Sequence, residues 1–386
     1  MNVLNYVMAG FAILGAVDYL LGSKFGIGKE FERGIMLLGT MMLTMVGMIV
    51  ISPLFALAMK PLTSVMTGAL DPSVIPAIFL ANDMGGAHLA VEVANNEQVG
   101  LFNAFVVSSM IGATISFTVP YALGVVGKER RPDMLLGLLC GIVTIPLGCF
   151  IGGLIMQISI GILLINLLPL TVISAVIGFG IIKFPDACVK IFGVFGTVIK
   201  VIVIAGLTSG IFERLTGIKL IPYTDDISGG VSIIVNASCV MAGAFPLISI
   251  IAMLLRKPFA KLGKKIGMNE VSVVGIVSTL ATNATTLGVM DRMDKRGATV
   301  NSAFAVSAAF TFAGHLAFTL AFMAEMGISS GAMLAAVIVG KLVAGAFALV
   351  LALWICRKIP VSEPSEPGLA DEVSLADEEA KAAEIL

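Results

Sequence analysis

Seven ionisable side chains fall inside otherwise apolar stretches of this 386-residue chain: Asp18, Asp83, His88, Glu92, Lys200, His315 and Lys341. Such a group costs at least about 2.5 kcal/mol at the centre of a membrane helix unless paired or hydrated, so it marks a candidate site. Asp83 stands out. It lies in Asn82-Asp83-Met84-Gly85-Gly86, where freed carbonyls and a carboxylate can together hold a cation; the structural alternative is a carboxylate that only caps a second half-helix. A related interruption, Thr282-Asn283-Ala284-Thr285-Thr286, offers an amide where the first offers a charge. One anionic ligand and one donor-acceptor suit a small molecule with one positive charge and one hydroxyl.

The remaining candidates have weaker claims. Glu92 is either a ligand or an interfacial group. His315, after Gly314, can pair with a carboxylate or shuttle a proton, or serve only packing. Lys341, beside Gly340, is expected to neutralise a buried acid, Asp18 or Asp83, and Lys200 to snorkel. Asn103, Asn236 and Asn301 are polar points on apolar runs that either hold helices together or line a path.

The elements that must position these groups are membrane helices. Hydrophobic residues make up 58% and charged residues 13% of the chain, with a mean hydropathy of +1.03, against about 25% charged in soluble domains. The five cysteines have no metal-ligand spacing, and neither cofactor nor metal is expected. No nucleophile, zinc-protease or nucleotide-loop motif is present, which argues against an enzyme or an ATP-driven pump. A net charge of -1 gives no reason to expect nucleic acid as a partner. The first helix lacks the basic flank and cleavage site of a signal peptide and reads as a mature segment.

Runs of about 20 apolar residues, enough to cross a bilayer, fall at 3-22, 34-59, 101-126, 134-156, 160-182, 187-210, 229-255, 300-325 and 331-355. The interrupted stretches 73-93 and 270-290 read as re-entrant or broken hairpins. With both re-entrant, 18 of the 24 Lys and Arg fall in loops on one side, which predicts an outside N-terminus and a cytoplasmic C-terminus. Ala104-Phe105-Val106-Val107-Ser108 recurs as Ala303-Phe304-Ala305-Val306-Ser307, Lys60-Pro61 as Lys257-Pro258, and Leu80-Ala81-Asn82-Asp83 as Leu280-Ala281-Thr282-Asn283, at nearly constant offset. A duplication follows. The expected fold is an all-α polytopic membrane protein of two inverted repeats. A first repeat covers 1-159, a linking helix 160-186, a second repeat 187-358, and an acidic cytoplasmic tail 359-386. Inverted repeats are a secondary-transporter pattern, with the substrate at interrupted helices near the midplane.

Longer motifs then become familiar: Asp83-Met84-Gly85-Gly86, Gly141 to Cys149 followed by Gly152-Gly153, Ser238-Cys239-Val240 with Gly243 and Pro246, Met293-Asp294-Lys295-Arg296-Gly297, and Ala303 to Phe310 with His315-Leu316. From about residue 34 to 345 the chain resembles the EutH-type ethanolamine permeases of bacterial ethanolamine-utilisation operons. Two positions depart from the pattern: His88 stands where an aromatic residue is usual, and Ala313 replaces an acid before Gly314-His315. The resemblance implies uptake of ethanolamine, or a similar small amine, across the bacterial inner membrane. It also implies that Asp83, Gly85, Gly86, Asn283, Asp294, Arg296, His315 and Lys341 match motif positions. Ethanolamine is mostly a cation at neutral pH, and membrane potential favours its entry by about 2.3 kcal/mol per 100 mV, so a potential-driven uniporter suffices; proton-coupled transport and a cation/proton antiporter are the alternatives. The expected partners are the amine, the lipid bilayer and further copies of the chain as a homo-oligomer.

Overall fold

The computed structural model describes residues 3–64, 66, 68–328 and 330–358; the acidic tail 359-386 lies outside them. Among the described residues the chain is helical throughout, with no strand. In chain order the helices are α1 (Val3–Leu20), α2 (Ile27–Met41), α3 (Gly47–Thr63), α4 (Val74–Phe79), α5 (Gly86–Val93), α6 (Glu97–Phe102), α7 (Val119–Val125), α8 (Arg131–Ile155), α9 (Ile160–Lys183) and α10 (Pro185–Thr216). They continue with α11 (Ile227–Ile266), α12 (Glu270–Thr279), α13 (Asn283–Gly288), α14 (Lys295–Ala308), α15 (Gly314–Glu325) and α16 (Gly331–Ile355). Wider π-helical turns join α2 to α3 over Met42–Val46 and fill most of the gap between α6 and α7, over Asn103–Gly112 and Thr114–Thr118. Such turns occur often at functional sites.

Seven of these stretches are long and apolar enough to cross a membrane: Ile27–Pro61, Glu97–Val125, Arg131–Ile155, Ile160–Lys183, Lys190–Thr216, Ile227–Ile251 and Gly331–Ile355. The chain is a multi-pass membrane protein. Asn5–Leu20 is a shorter apolar helix. The expected single span 300-325 needs correction, because it is two helices, α14 and α15, broken over residues 309–313. There Ala309 turns extended and Phe310 takes a left-handed φ of 61°, so the chain leaves the helix although its hydropathy continues unbroken.

Burial grades from the centre outward. Glu97–Val125 has 94% of its most apolar stretch buried, α9 28% and α10 22%; a helix apolar all round and buried on every side belongs to a protein interior, whereas one open along its length faces lipid. Small residues set the closest approaches, as expected where lipid removes any hydrophobic drive between helices. In α8 and α16, a Cβ on Gly148 would meet the Gly340 carbonyl, one on Gly340 would meet the Gly148 carbonyl at 2.9 Å, and one on Gly152 would meet the Ala336 carbonyl at 3.2 Å. Residue numbers rise in one helix as they fall in the other, so α8 and α16 run antiparallel.

Candidate functional site

The segment 73-93 is bent back on itself. Asp71, buried, accepts from the Ser73 amide at 2.9 Å and hydroxyl at 2.5 Å with one carboxylate oxygen, and from the amides of Asn95 at 3.0 Å and Asn96 at 2.8 Å with the other. Both ends of the segment therefore meet at one carboxylate. Asn166 on α9 binds the same corner, taking the Asp71 amide at 2.9 Å and giving to the Ala69 carbonyl at 2.6 Å. The segment 270-290 is closed in the same way: Asp294 accepts from the Asn269 amide and the Ser272 hydroxyl, each at 2.8 Å, and Asn269 gives its side-chain amide to the Arg292 carbonyl at 2.9 Å.

At the tip of the first segment, Leu80 and Ala81 are extended and Gly85 has φ 91°. A glycine is required there: a Cβ would strike the Met48 side chain, and one on Gly86 would strike the Leu80 carbonyl, besides the cost of φ > 0. The freed backbone groups find partners on the π-helical stretch, where the Ser108 hydroxyl gives to the Leu80 carbonyl at 2.7 Å and the Ala81 amide to the Ser116 hydroxyl at 3.1 Å.

The second tip meets the unexpected break. Thr282 caps α13, accepting from the Ala284 amide at 3.2 Å, and the Asn283 side chain gives to the Thr118 hydroxyl at 2.8 Å. The amides of Phe310 and Phe312 give to the carbonyls of Thr279 at 3.1 Å and Leu280 at 3.0 Å, so two interrupted segments satisfy one another's backbone, as a buried break requires.

His315, in the first turn of α15, links two charges. Its Nε2 lies 3.9 Å from Asp83 Oδ1, and its Nδ1 lies 3.1 Å from Lys341 Nζ. Lys341 also donates to the Ser109 carbonyl at 2.6 Å. An ammonium has no lone pair, so with Lys341 charged Nδ1 accepts and the imidazole proton sits on Nε2, toward the carboxylate. Asp83 and His315 open onto a cavity of about 220 Å³, with Thr40, Thr44 and Thr282 as further polar lining and Met41, Met45, Met84, Met241, Phe117, Tyr121 and Phe310 among its apolar walls. Drug-sized pockets run to about 300–1,000 Å³; this one suits a smaller guest.

Of the residues singled out in the sequence, Asp83, Thr282 and His315 line the cavity, with Lys341 behind them. Gly85 and Gly86 shape the tip. Asn82 and Asn283 are fully buried beside it; neither polar atom of the Asn82 amide, nor Oδ1 of Asn283, has a partner. The others lie elsewhere. Asp18 accepts from the amides of Phe25 at 3.0 Å and Gly28 at 2.7 Å: its expected pairing with Lys341 is corrected, since backbone N–H groups at the turn into α2 satisfy it. Asn103 gives to the Ser73 hydroxyl at 2.8 Å and Asn301 to the Ser272 carbonyl at 2.7 Å, holding helices together. Glu92, Asn236 and Lys200 are exposed. His88 packs edge-on against Phe322 at 4.5 Å. Sequence reasoning missed Asp71, Phe117, Tyr121 and Phe310. Only Asp71 had a signal, an acid in an Asp-Pro-Ser corner before the hairpin.

The profile of the family described as "Ethanolamine utilisation protein, EutH" matches residues 1–355. The chain is 40% identical to a Listeria monocytogenes protein named a probable ethanolamine permease EutH, over 93% of this chain and 95% of the relative. It is 37% identical to the Bacillus subtilis protein YxeR, described as uncharacterized, over 91% and 93%, and 33% identical to an Escherichia coli probable ethanolamine permease EutH, over 92% and 96%. No solved structure matches it.

Proposed function

Because the chain belongs to the EutH family of ethanolamine utilisation proteins, we propose that it carries ethanolamine, as its ammonium cation, across the bacterial inner membrane, with the ammonium held on Asp83. Transport rather than catalysis accords with the permease names of its relatives. The observation that carries the reading is the Asp83 carboxylate, facing a small cavity at the meeting of three interrupted segments with Lys341 as its distant counter-charge through His315. The hydroxyl is assigned to the polar group nearest the second tip, Thr282 or Asn283.

Charge sets the drive. With Asp83 ionised and Lys341 charged, the empty site is neutral; a bound ammonium adds one positive charge, and its inward passage gains about 2.3 kcal/mol per 100 mV. Uniport driven by the potential is therefore the proposed mode. Access alternates by movement of two inverted repeats, with the N-terminus outside and the C-terminus in the cytoplasm. Three observations support the repeats, and the charge bias of the loops supports the orientation. Each tip segment has both ends held by one acid, Asp71 or Asp294, as a re-entrant hairpin needs. The 25-residue helices α8 and α16 are antiparallel neighbours. Met41 and Met241, and Ala81 and Ala281, line the same cavity as pairs in the duplication register.

The test is counterflow of labelled ethanolamine in liposomes. Asp83→Asn should lose it; undiminished flux would remove the carboxylate from the mechanism. The chain of Lys341, His315 and Asp83 also favours one alternative, a cation/proton antiporter, for which sodium or proton flux without amine in voltage-clamped vesicles would speak.

A further inference from the structure

Four aromatic rings line the cavity that holds Asp83. Phe245 already lies under the Arg33 guanidinium at 5.0 Å, and the role proposed for the carboxylate does not use the other three, Phe117, Tyr121 and Phe310. Phe117 and Tyr121 lie one turn apart on the buried stretch Glu97–Val125, with centroids 5.4 Å apart and planes within 8°. Phe310 meets Phe117 at 5.7 Å and 74°, nearly perpendicular. Together they form a corner with walls in two directions. The corner is joined to the charged chain, since Phe310 lies 4.8 Å from His315, whose far nitrogen faces Asp83.

Phe310 is held there by an unusual backbone. Its φ of 61° is left-handed, a conformation costly for a bulky side chain that persists where the surrounding structure over-determines it, and that clusters at functional sites. A continuous α14–α15 helix would instead fix its ring by the helical register. Its amide bond to the Thr279 carbonyl, at 3.1 Å, keeps the break and with it the ring position.

Building on the proposed function, we infer that Phe117, Tyr121 and Phe310 form an ammonium-binding wall, on which the site takes N-methylated aminoalcohols up to the quaternary trimethylammonium as well as the primary amine. A primary ammonium presents three N–H donors that each need an acceptor. Among the described lining side chains only Asp83 is a charged acceptor; the others are the hydroxyls of Thr40, Thr44, Thr282 and Tyr121, and His315 turns an N–H rather than a lone pair toward the site. Replacing N–H by N–CH₃ removes that demand while keeping the positive charge, which spreads onto the methyl groups and is attracted to aromatic faces. Asp83 still supplies the opposite charge, and thioethers such as Met84 give a soft apolar surface beside the rings. The cavity's roughly 220 Å³ leaves room for the added methyls.

The experiment is competition in proteoliposomes of purified full-length protein, with labelled ethanolamine counterflow opposed by ethanolamine and its N-methyl, N,N-dimethyl and N,N,N-trimethyl (choline) forms. Inhibition constants across the series should agree within about tenfold, and Phe117→Leu or Phe310→Leu should weaken choline about tenfold more than ethanolamine, the scale of one cation–π contact. Phe117→Tyr should restore choline inhibition, which separates the ring from folding. Normal ethanolamine counterflow that a hundredfold excess of choline leaves untouched would overturn the wall and spare the proposed function. Equal losses for both amines in the leucine variants would likewise overturn it. Absence of ethanolamine flux, with direct binding of labelled choline that the leucine variants abolish, would overturn ethanolamine transport and support the wall.

Discussion

At the scale of single residues, the candidate site is a short line of polar groups: carboxylate, imidazole, ammonium. Lys341 is its most costly member, buried and bonded to the Ser109 carbonyl and His315. Lys341→Met takes the donor from His315 Nδ1 and from the Ser109 carbonyl, at about 1–3 kcal/mol for each buried group left unsatisfied, so it should lower the melting temperature in detergent and abolish ethanolamine counterflow; full flux would show that the counter-charge is dispensable. Asp83, His315 and Lys341 were legible in the sequence because an ionisable group in an apolar run has no cheap structural excuse. Phe117, Tyr121 and Phe310 were not, since an aromatic side chain in a hydrophobic stretch looks the same whether it faces lipid, core or cavity. Asp18 misled for a related reason: a buried acid points to a cation, but two backbone N–H groups serve as well.

At the scale of elements, the breaks matter more than the helices. Both tips were visible as glycine, asparagine and threonine clusters inside apolar runs. The third break, at 309–313, was hidden because Phe310, Thr311 and Phe312 keep the hydropathy high, and only the amide bonds to Thr279 and Leu280 create it. The acids that close the hairpins give the clearest tests at this scale. Asp71→Ala leaves four donors unanswered: the Ser73 amide and hydroxyl, which are buried and cost about 1–3 kcal/mol each, and the Asn95 and Asn96 amides across the hairpin mouth, which are exposed and open to water. It should raise hydrogen exchange at Asn95 and Asn96 and stop transport. Unchanged exchange would mean that the hairpin ends are held by packing alone. Gly85→Ala should fail more sharply, because its Cβ enters Met48 at a left-handed φ; a variant that melts like the parent would contradict the tip geometry.

At the scale of the whole molecule, the proposed arrangement is two inverted repeats around one cavity. Sequence recurrence is what suggests the duplication, and charge bias the proposed orientation. Neither could show that α8 and α16 meet through Gly148 and Gly340, since contact partners across the bundle leave no local mark. Gly148→Leu should therefore separate the two halves and prevent recovery of a monodisperse protein, whereas substitution at Gly161, which has open space around it, should be tolerated. In a background without the native cysteines, Lys24→Cys should be labelled only from the cytoplasmic side and Tyr223→Cys only from outside. Labelling of both from one side would contradict the topology.

The most direct measurement is uptake of labelled ethanolamine into proteoliposomes under an imposed inside-negative potential, comparing the parent protein with Asp83→Asn. The account predicts accumulation that rises with the potential in the parent and is lost in the variant. Uptake that is indifferent to the potential, or equal in the two proteins, would contradict a cation carried on Asp83.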